Sequence, residues 1–412
     1  MLFHVKVAIS FIAISLSVSP VVFAETILLE QSSSVTLSSL VQNVYERHPT
    51  HHAQSAHQQK IDANTDLANA TFADASSVSL NHYNDVVGSS DGFQEWEGSI
   101  DMPLWLSGQK QSQLALSDKM SAELTSSQQQ LRLEIASQVR QVVWGVVLAD
   151  VKTQQAHQAW HVAKQLAQDV DAHVKAGELA GTDRLLANSH ALKMHSDYIL
   201  AQGKLEHAIK AFQTLTGESA LPQQYEESLA LETVITDHHP SLVASDQKVN
   251  TLRTKQNIAR YQDAVNPSLS VGIRRDRDDS SESFNHSLGL GISFALDDDV
   301  YRRPAMANAA MILADAEVAR QQLKRKLQVK LTEQLYLLDT LKQQLTIAIK
   351  HSDTTEQYLS LQQSAFDLGE IDLLNLLASQ TLANESLNRK QSLETEIKQA
   401  IANVNQALGA FF

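Results

Sequence analysis

One spacing constrains this sequence more than any other feature. Gly177-Glu178 recurs as Gly369-Glu370, 192 residues further on. Ile100-Asp101-Met102-Pro103-Leu104 is answered by Ile292-Ser293-Phe294-Ala295-Leu296 at the same offset. Leu215-Thr216-Gly217 is answered by Ala407-Leu408-Gly409 at 192, and His48-Pro49 by His239-Pro240 at 191. SVSLN from Ser77 matches PSLSVG from Pro267. Self-similarity held at one offset means two copies of one structural unit, diverged by duplication rather than stacked as a solenoid. The expected organisation is a leader over 1–24, a first repeat over 25–217, a linker or equatorial segment over 218–238 and a second repeat over 239–412.

Each repeat reads in the same order. A helix comes first, over about 37–70 and about 240–264. Two short alternating stretches follow, separated by a polar loop. In the second repeat Leu269, Val271 and Ile273 share one face, as do Leu288, Leu290, Ile292 and Phe294, with His286, Gly289, Gly291 and Ser293 among the intervening residues. Period two predicts strands. RRDRDDSSES between them reads as a solvated loop. In the first repeat Trp96, Gly98, Ile100, Met102 and Leu104 alternate with Ser99, Asp101 and Pro103, after the turn VVGSSDG, and a weaker strand lies near Val78 to Tyr83.

The remainder of each repeat is helical and long. Over 107–176 and 303–368, past the opening Gly108 and Pro304, the only glycine is Gly145 and there is no proline. At 1.5 Å per residue either stretch extends roughly 100 Å. Leu323, Leu327, Leu331, Leu335, Leu338, Leu341, Leu345 and Ile349 step by three or four, which predicts one packed seam with Gln, Lys and Glu elsewhere. A helix of this length must stop or return. Gly177 and Gly369 mark where it turns back into an antiparallel partner, over 183–215 and 372–408. Asp183 and Asp372 open those return helices, where a carboxylate suits the positive end of the dipole.

Bulk properties then exclude several roles. The start, MLFHVKVAISFIAISLSVSPVVFAE, has Lys6, a short apolar run over 7–18 and a small-residue site at Val22-Phe23-Ala24, the pattern of a cleaved secretory signal peptide. No later segment has the ~18 apolar residues of a spanning helix. Loss of Lys6 with the leader takes the formal charge from −14 to −15, a poor match for nucleic acid and a reasonable one for cations. There is no cysteine, hence no disulfide or thiolate metal site. No phosphate loop, G-x-S-x-G or H-E-x-x-H motif is present, so an enzyme is not expected, nor is a cofactor.

Apolar alternation with Tyr83, Phe93, Trp96, Trp105 and Phe284 nearby suggests strands in lipid with interfacial aromatics. Four strands cannot close a barrel, and open edges are intolerable in a bilayer. Either the strands form a soluble sheet, or several chains pool them into a conduit.

At this point the sequence resembles the TolC family of outer-membrane efflux proteins. The likeness covers nearly all of the mature chain. It rests on both repeats, the passage SIDMPLWLSGQKQSQL, the strand GLGISFAL and the two turns of Gly-Glu followed by Asp-x-Leu-Leu. AGELAGTDRLLA and SLGLGISFALDDDVYRRPAMANAAM are most similar to the heavy-metal cation efflux (CzcC-like) branch. The resemblance implies a mainly α chain with a transmembrane β portion, built from a duplicated unit of two strands plus a long helical hairpin. It implies a homotrimer whose pooled β-barrel sits in outer-membrane lipid of a Gram-negative cell and continues as an α-helical periplasmic tunnel. The implied partners are a periplasmic adaptor protein and an inner-membrane pump.

The same resemblance supplies site expectations. Asp372 falls where acidic side chains ring a closed tunnel mouth; the local alternative is that it only caps a helix. Asn375 stands one turn on, where some relatives carry a second acid, and Asp183 is the matching acid of the first repeat. Gly177, Glu178, Leu179, Leu368, Gly369 and Glu370 are the tips expected to meet the adaptor. His48, His51 and His52, the pair His157 and His161, and His238-His239 show no third ligand at local spacing and read as solvated faces rather than metal sites; a symmetry axis is the one source of missing ligands. Two other readings stay open: the same duct carrying drugs or secreted proteins, and a periplasmic coiled-coil structural protein with no pore.

Overall fold

The computed structural model describes residues 29–262, 264–296 and 299–412; the expected signal peptide lies outside them. The chain begins with β1 (Gln31–Ser32), α1 (Leu37–Arg47) and α2 (Pro49–Asn69). The single helix expected over 37–70 is therefore two. Pro49 lacks an N–H and pushes the residue before it out of the helical region. His48 is extended, with φ −70° and ψ 132°, and its Nδ1 accepts from the Thr50 N–H at 3.2 Å to cap α2.

Next come β2 (Ser77–Asn84), β3 (Gln94–Pro103), α3 (Gln109–Ala176) and α4 (Gly181–Thr216). After β4 (Leu221–Pro222) follow α5 (Pro240–Ala259), β5 (Ser268–Arg277), β6 (Asn285–Ser293), α6 (Asp299–Asp367) and α7 (Leu373–Ala407). Helix α5 stops at Ala259, short of the expected boundary. Helix α6 starts at Asp299, so Pro304 lies inside it and leaves the Val300 carbonyl without its helical donor. With 68 and 69 residues, α3 and α6 each run about 100 Å.

The four long strands form one antiparallel sheet in the order β2-β3-β5-β6, with β2 and β6 as its edges. Strand β5 is longer than the sequence suggested. Arg274, Arg275, Asp276 and Arg277, expected in a loop, pair with Glu97, Trp96, Glu95 and Gln94 of β3. A two-residue parallel pair of β1 and β4, not anticipated, ties the start of the described chain to the linker after α4.

The helices pack around three cores. Leu40, Val41 and Val44 of α1 meet Ile135, Val139 and Val143 of α3 and Ile209 and Phe212 of α4. The leucine seam of α6 packs on α7 through Leu331, Leu338 and Leu341 against Leu393, Ala400 and Val404. Ile349 does not continue that seam; it is exposed and Ala348 takes the buried position. The third core joins the ends of both hairpins, with Leu166 and Val170 of α3, Ala187 of α4 and Leu373, Leu376 and Leu377 of α7.

A buried ion pair holds the middle together. Arg140 of α3 is 2% exposed and donates from Nε to Glu227 Oε1 at 2.7 Å and from Nη2 to Oε2 at 2.8 Å. It also donates to Gln406 and to the Ala410 carbonyl, and its guanidinium sits 4.2 Å from the Phe412 ring centroid. The linker and the last residues are thus fastened to one point of α3.

Candidate functional site

The two hairpin tips share one backbone device. Gly177 (φ 83°) donates to the Val174 carbonyl at 3.1 Å, and Glu178 donates to the His173 carbonyl at 2.9 Å. Gly369 (φ 74°) donates to Phe366 at 2.9 Å, and Glu370 to Ala365 at 2.8 Å. Each set is a Schellman cap, which needs a left-handed residue where only glycine is unstrained. This is why glycine interrupts each long helix.

The acids expected at the mouth take different local roles. Asp372 is the N-cap of α7, its Oδ1 accepting from the Asn375 N–H at 2.8 Å, and both residues are exposed. Asp183 does not cap α4 by position. Ala180 is the N-cap, and Asp183, half-buried at the third helical position, accepts from the Ala180 N–H at 3.2 Å. Glu178 pairs with His173 Nδ1 at 2.5 Å. Asp171 accepts from Lys175 at 2.7 Å with Arg184 at 4.0 Å; the Lys175 bond first, and then both positive charges, hold its carboxyl below the usual range. Leu179 packs against the tip core, whereas Leu368 is 75% exposed. Leu185 and Leu374, which sequence reasoning passed over, are exposed close by.

At the other end, register sorts the sheet into two unlike faces. One carries Val78, Ile100, Val271 and Leu290 in one row and Leu80, Gly98, Ile273 and Leu288 in the next. The opposite face carries the rows Ser79-Ser99-Gly272-Gly289 and Ser77-Asp101-Ser270-Gly291. Arg274 lies on this polar face, 3.2 Å from Glu95. With one apolar face, β3, β5 and β6, of 9 or 10 residues, have the length that crosses a bilayer when tilted, about 9–11 residues, and β2 is one shorter. Among the described residues no helix is long and apolar enough to cross a membrane.

The aromatics expected at an interface separate. Trp96 lies on the apolar face, stacked on His82 at 4.0 Å. Tyr83 is on the polar face. Trp105 lies beyond the strand, where its indole N–H donates to the Ala70 carbonyl at 3.1 Å and ties the sheet's base to α2. Lys110 and Tyr261 brace the same junction through Ala70 and Ser107.

The histidines also divide. His157 and His161 are exposed, as expected, and His157 lies 5.0 Å from the Tyr198 ring. His239 is not on a solvated face. It is 3% exposed, accepts from the Ser241 N–H at 3.2 Å to cap α5, and burial lowers its pKa. Its neighbour is Gly409, 170 residues away in sequence, where an added Cβ would come within 2.8 Å of the ring. Among the described residues no group of three or more His, Asp or Glu is placed to hold a metal.

No protein-family model and no curated protein sequence matches the chain. Solved structures do. CusC, described in connection with transmembrane channel formation, superposes with a TM-score of 0.72 at 15% identity, over 91% of this chain and 92% of that one. The outer-membrane protein VceC of Vibrio cholerae gives 0.70 at 14% identity, over 91% and 96%. The Campylobacter jejuni CmeC outer-membrane channel gives 0.69 at 15%, over 98% and 94%. The chain shares the fold of these channels.

Proposed function

We propose that this chain is the outer-membrane exit duct of a tripartite efflux assembly. The observation that carries the reading is the sheet: one apolar face, one polar face and two open edges on a chain whose helices reach about 100 Å away. An open edge in lipid leaves backbone groups unpaired, so β6 of one copy must pair with β2 of the next. Two copies would make a barrel of about eight strands, which side chains fill; three make about twelve and leave a bore. The polar rows then line water and the apolar rows meet lipid. The hairpins continue as a periplasmic tunnel in a Gram-negative cell, and each chain is read as two copies of one unit.

The two turns, with Gly177, Glu178, Leu179, Leu368, Gly369 and Glu370, are proposed to meet a periplasmic adaptor and inner-membrane pump at the end away from the sheet. Exposed Leu368 with the nearby exposed Leu185 and Leu374 gives that end apolar contact area. Heavy-metal cations are the proposed cargo. The support is the likeness of AGELAGTDRLLA to the metal branch and the surplus of acids at the tip: Glu178, Asp183, Asp367, Glu370 and Asp372 against His173, Lys175 and Arg184. The duct is proposed to conduct passively.

Planar-bilayer recording of the purified protein tests this. The expected result is a three-chain particle with stepwise conductance, blocked by multivalent cations added at the hairpin side. Asp372→Asn is the informative variant, because asparagine caps as well as aspartate while removing the charge. It is expected to weaken block with α7 intact. A soluble, non-conducting protein would overturn the duct. Unchanged block in Asp372→Asn would leave Asp372 a helix cap alone.

A further inference from the structure

The outer end of the apolar sheet face carries a row that does not belong in hydrocarbon. His82, Trp96, Arg275 and His286 stand in register across all four strands, just beyond the aliphatic rows. Arg277 is next on the same face of β5. Both arginines stack on one ring: their guanidinium carbons lie 3.9 Å and 4.9 Å from the Phe284 centroid. Neither makes an ion pair among the described residues, and Arg277 Nε is shielded from water with no hydrogen-bond partner. Arg274, just before them in sequence, stands on the other face of the strand and has Glu95.

Below the cations lies a groove of about 640 Å³. Its floor is Gly98, flanked by Leu80, Ile273 and Leu288; Trp96, Arg275 and His286 rim it, and Arg274 and Ser287 complete the lining. The groove exists because Gly98 has no side chain: a Cβ there would make only ordinary contacts, 3.8 Å to Leu80 and 3.9 Å to Ile273. A narrow apolar slot topped by a forked cation, an imidazole and an indole matches an acyl chain with a phosphate head. Arginine presents paired N–H donors to phosphate oxygens, and indole rings settle at headgroup depth.

We propose that this groove binds a phosphate-bearing lipid of the leaflet facing the strand loops, seating one acyl chain over Gly98 and its phosphate on Arg275, with Arg277 adding charge. The site rests on the duct reading, since only a barrel in a bilayer presents this face to lipid. Charge complementarity at headgroup depth selects the occupant.

The test begins with vesicle flotation of the full chain, then counts lipids bound in native mass spectrometry with phosphatidic acid or phosphatidylcholine added. An arginine near an anionic lipid surface is worth about a fivefold change in association. Phosphatidic acid is expected to bind at least fivefold more tightly than phosphatidylcholine. Arg275→Gln should remove about fivefold, and Arg389→Gln on α7, away from the sheet and paired with Glu396, should change nothing. Gly98→Leu, which fills the slot without altering charge, should weaken phosphatidic acid equally. Failure to float would overturn both the duct and this site. Insertion without headgroup preference, or an equal loss in Arg389→Gln, would overturn the site alone. Binding of inorganic phosphate as tight as that of phosphatidic acid would overturn the lipid assignment.

Discussion

Replacing Arg140 by methionine should loosen two segments that are far apart in sequence. Methionine keeps the length of the side chain but strands Glu227, whose side chain is only 12% exposed. The carboxylate would retain one side-chain donor, Asn405 Nδ2 at 3.1 Å. Breaking a buried pair by removing one partner costs about 3–5 kcal/mol. At about 1.4 kcal/mol per factor of ten, that is roughly a hundredfold to a few thousandfold in a local opening equilibrium. Hydrogen exchange read by mass spectrometry is the assay. Amides over 223–231 and 408–412 should lose protection by that factor, because Glu227, Ala410 and Phe412 all converge on the guanidinium. Strands β3 and β5 should be unaffected. The double variant Arg140→Met with Glu227→Leu removes both charges, and such replacements are often neutral. It should recover protection to within about tenfold of wild type. A loss below about fivefold in the single variant, or a double variant no better than the single, would refute the reasoning.

Gly369→Ala and Gly409→Ala separate two costs. Both glycines are left-handed, at φ 74° and 78°. Alanine at 369 meets nothing within 4 Å, so the change should cost about 1–2 kcal/mol, seen as faster proteolysis at that tip. At 409 the new Cβ also meets the His239 ring and Pro240 at 2.8 Å, and overpacking adds roughly 1–3 kcal/mol, readable as a larger drop in thermal midpoint. His239 should make stability pH-dependent. Its folded pKa is lowered by burial, so the unfolded chain binds the proton first; stability is full above about pH 6.5 and falls as pH drops below it. His239→Asn keeps a cap and should flatten the thermal midpoint between pH 7.5 and 5; an equal slope in both proteins would exclude His239 as its source.

The strands and hairpins were legible because each is written locally. Period-two alternation marks Leu288, Leu290 and Ile292, and a glycine at 177 or 369 marks a left-handed cap. The break at His48-Pro49 is written just as locally, but the flanking helical pattern masked it. The outer half of β5 was hidden for a different reason. Arg274-Arg275-Asp276-Arg277 has charge on both faces, so no apolar period survives; only pairing with β3 shows that these residues continue the strand. His239 and Arg140 were illegible in principle, since their burial comes from Gly409, Glu227 and Phe412, which no local window contains. The caps at Asp183 and Asp372 were foreseen as acids near helix starts. That one caps by position and the other from the third residue needed coordinates.

The serine and glycine rows on the polar side of the sheet bear on where such a duct can choose. Ser79, Ser99, Gly272 and Gly289 lie side by side with nothing longer than a hydroxymethyl group. That row offers passing solutes little grip; the charged side chains of the face, Asp101 on one side and Glu97 with Arg274 on the other, stand in the rows that flank it. Under the proposed duct reading, the bare Ser-Gly row is a smooth band between two charged ones, so any hold the membrane end has on a passing ion is confined to those flanking rows.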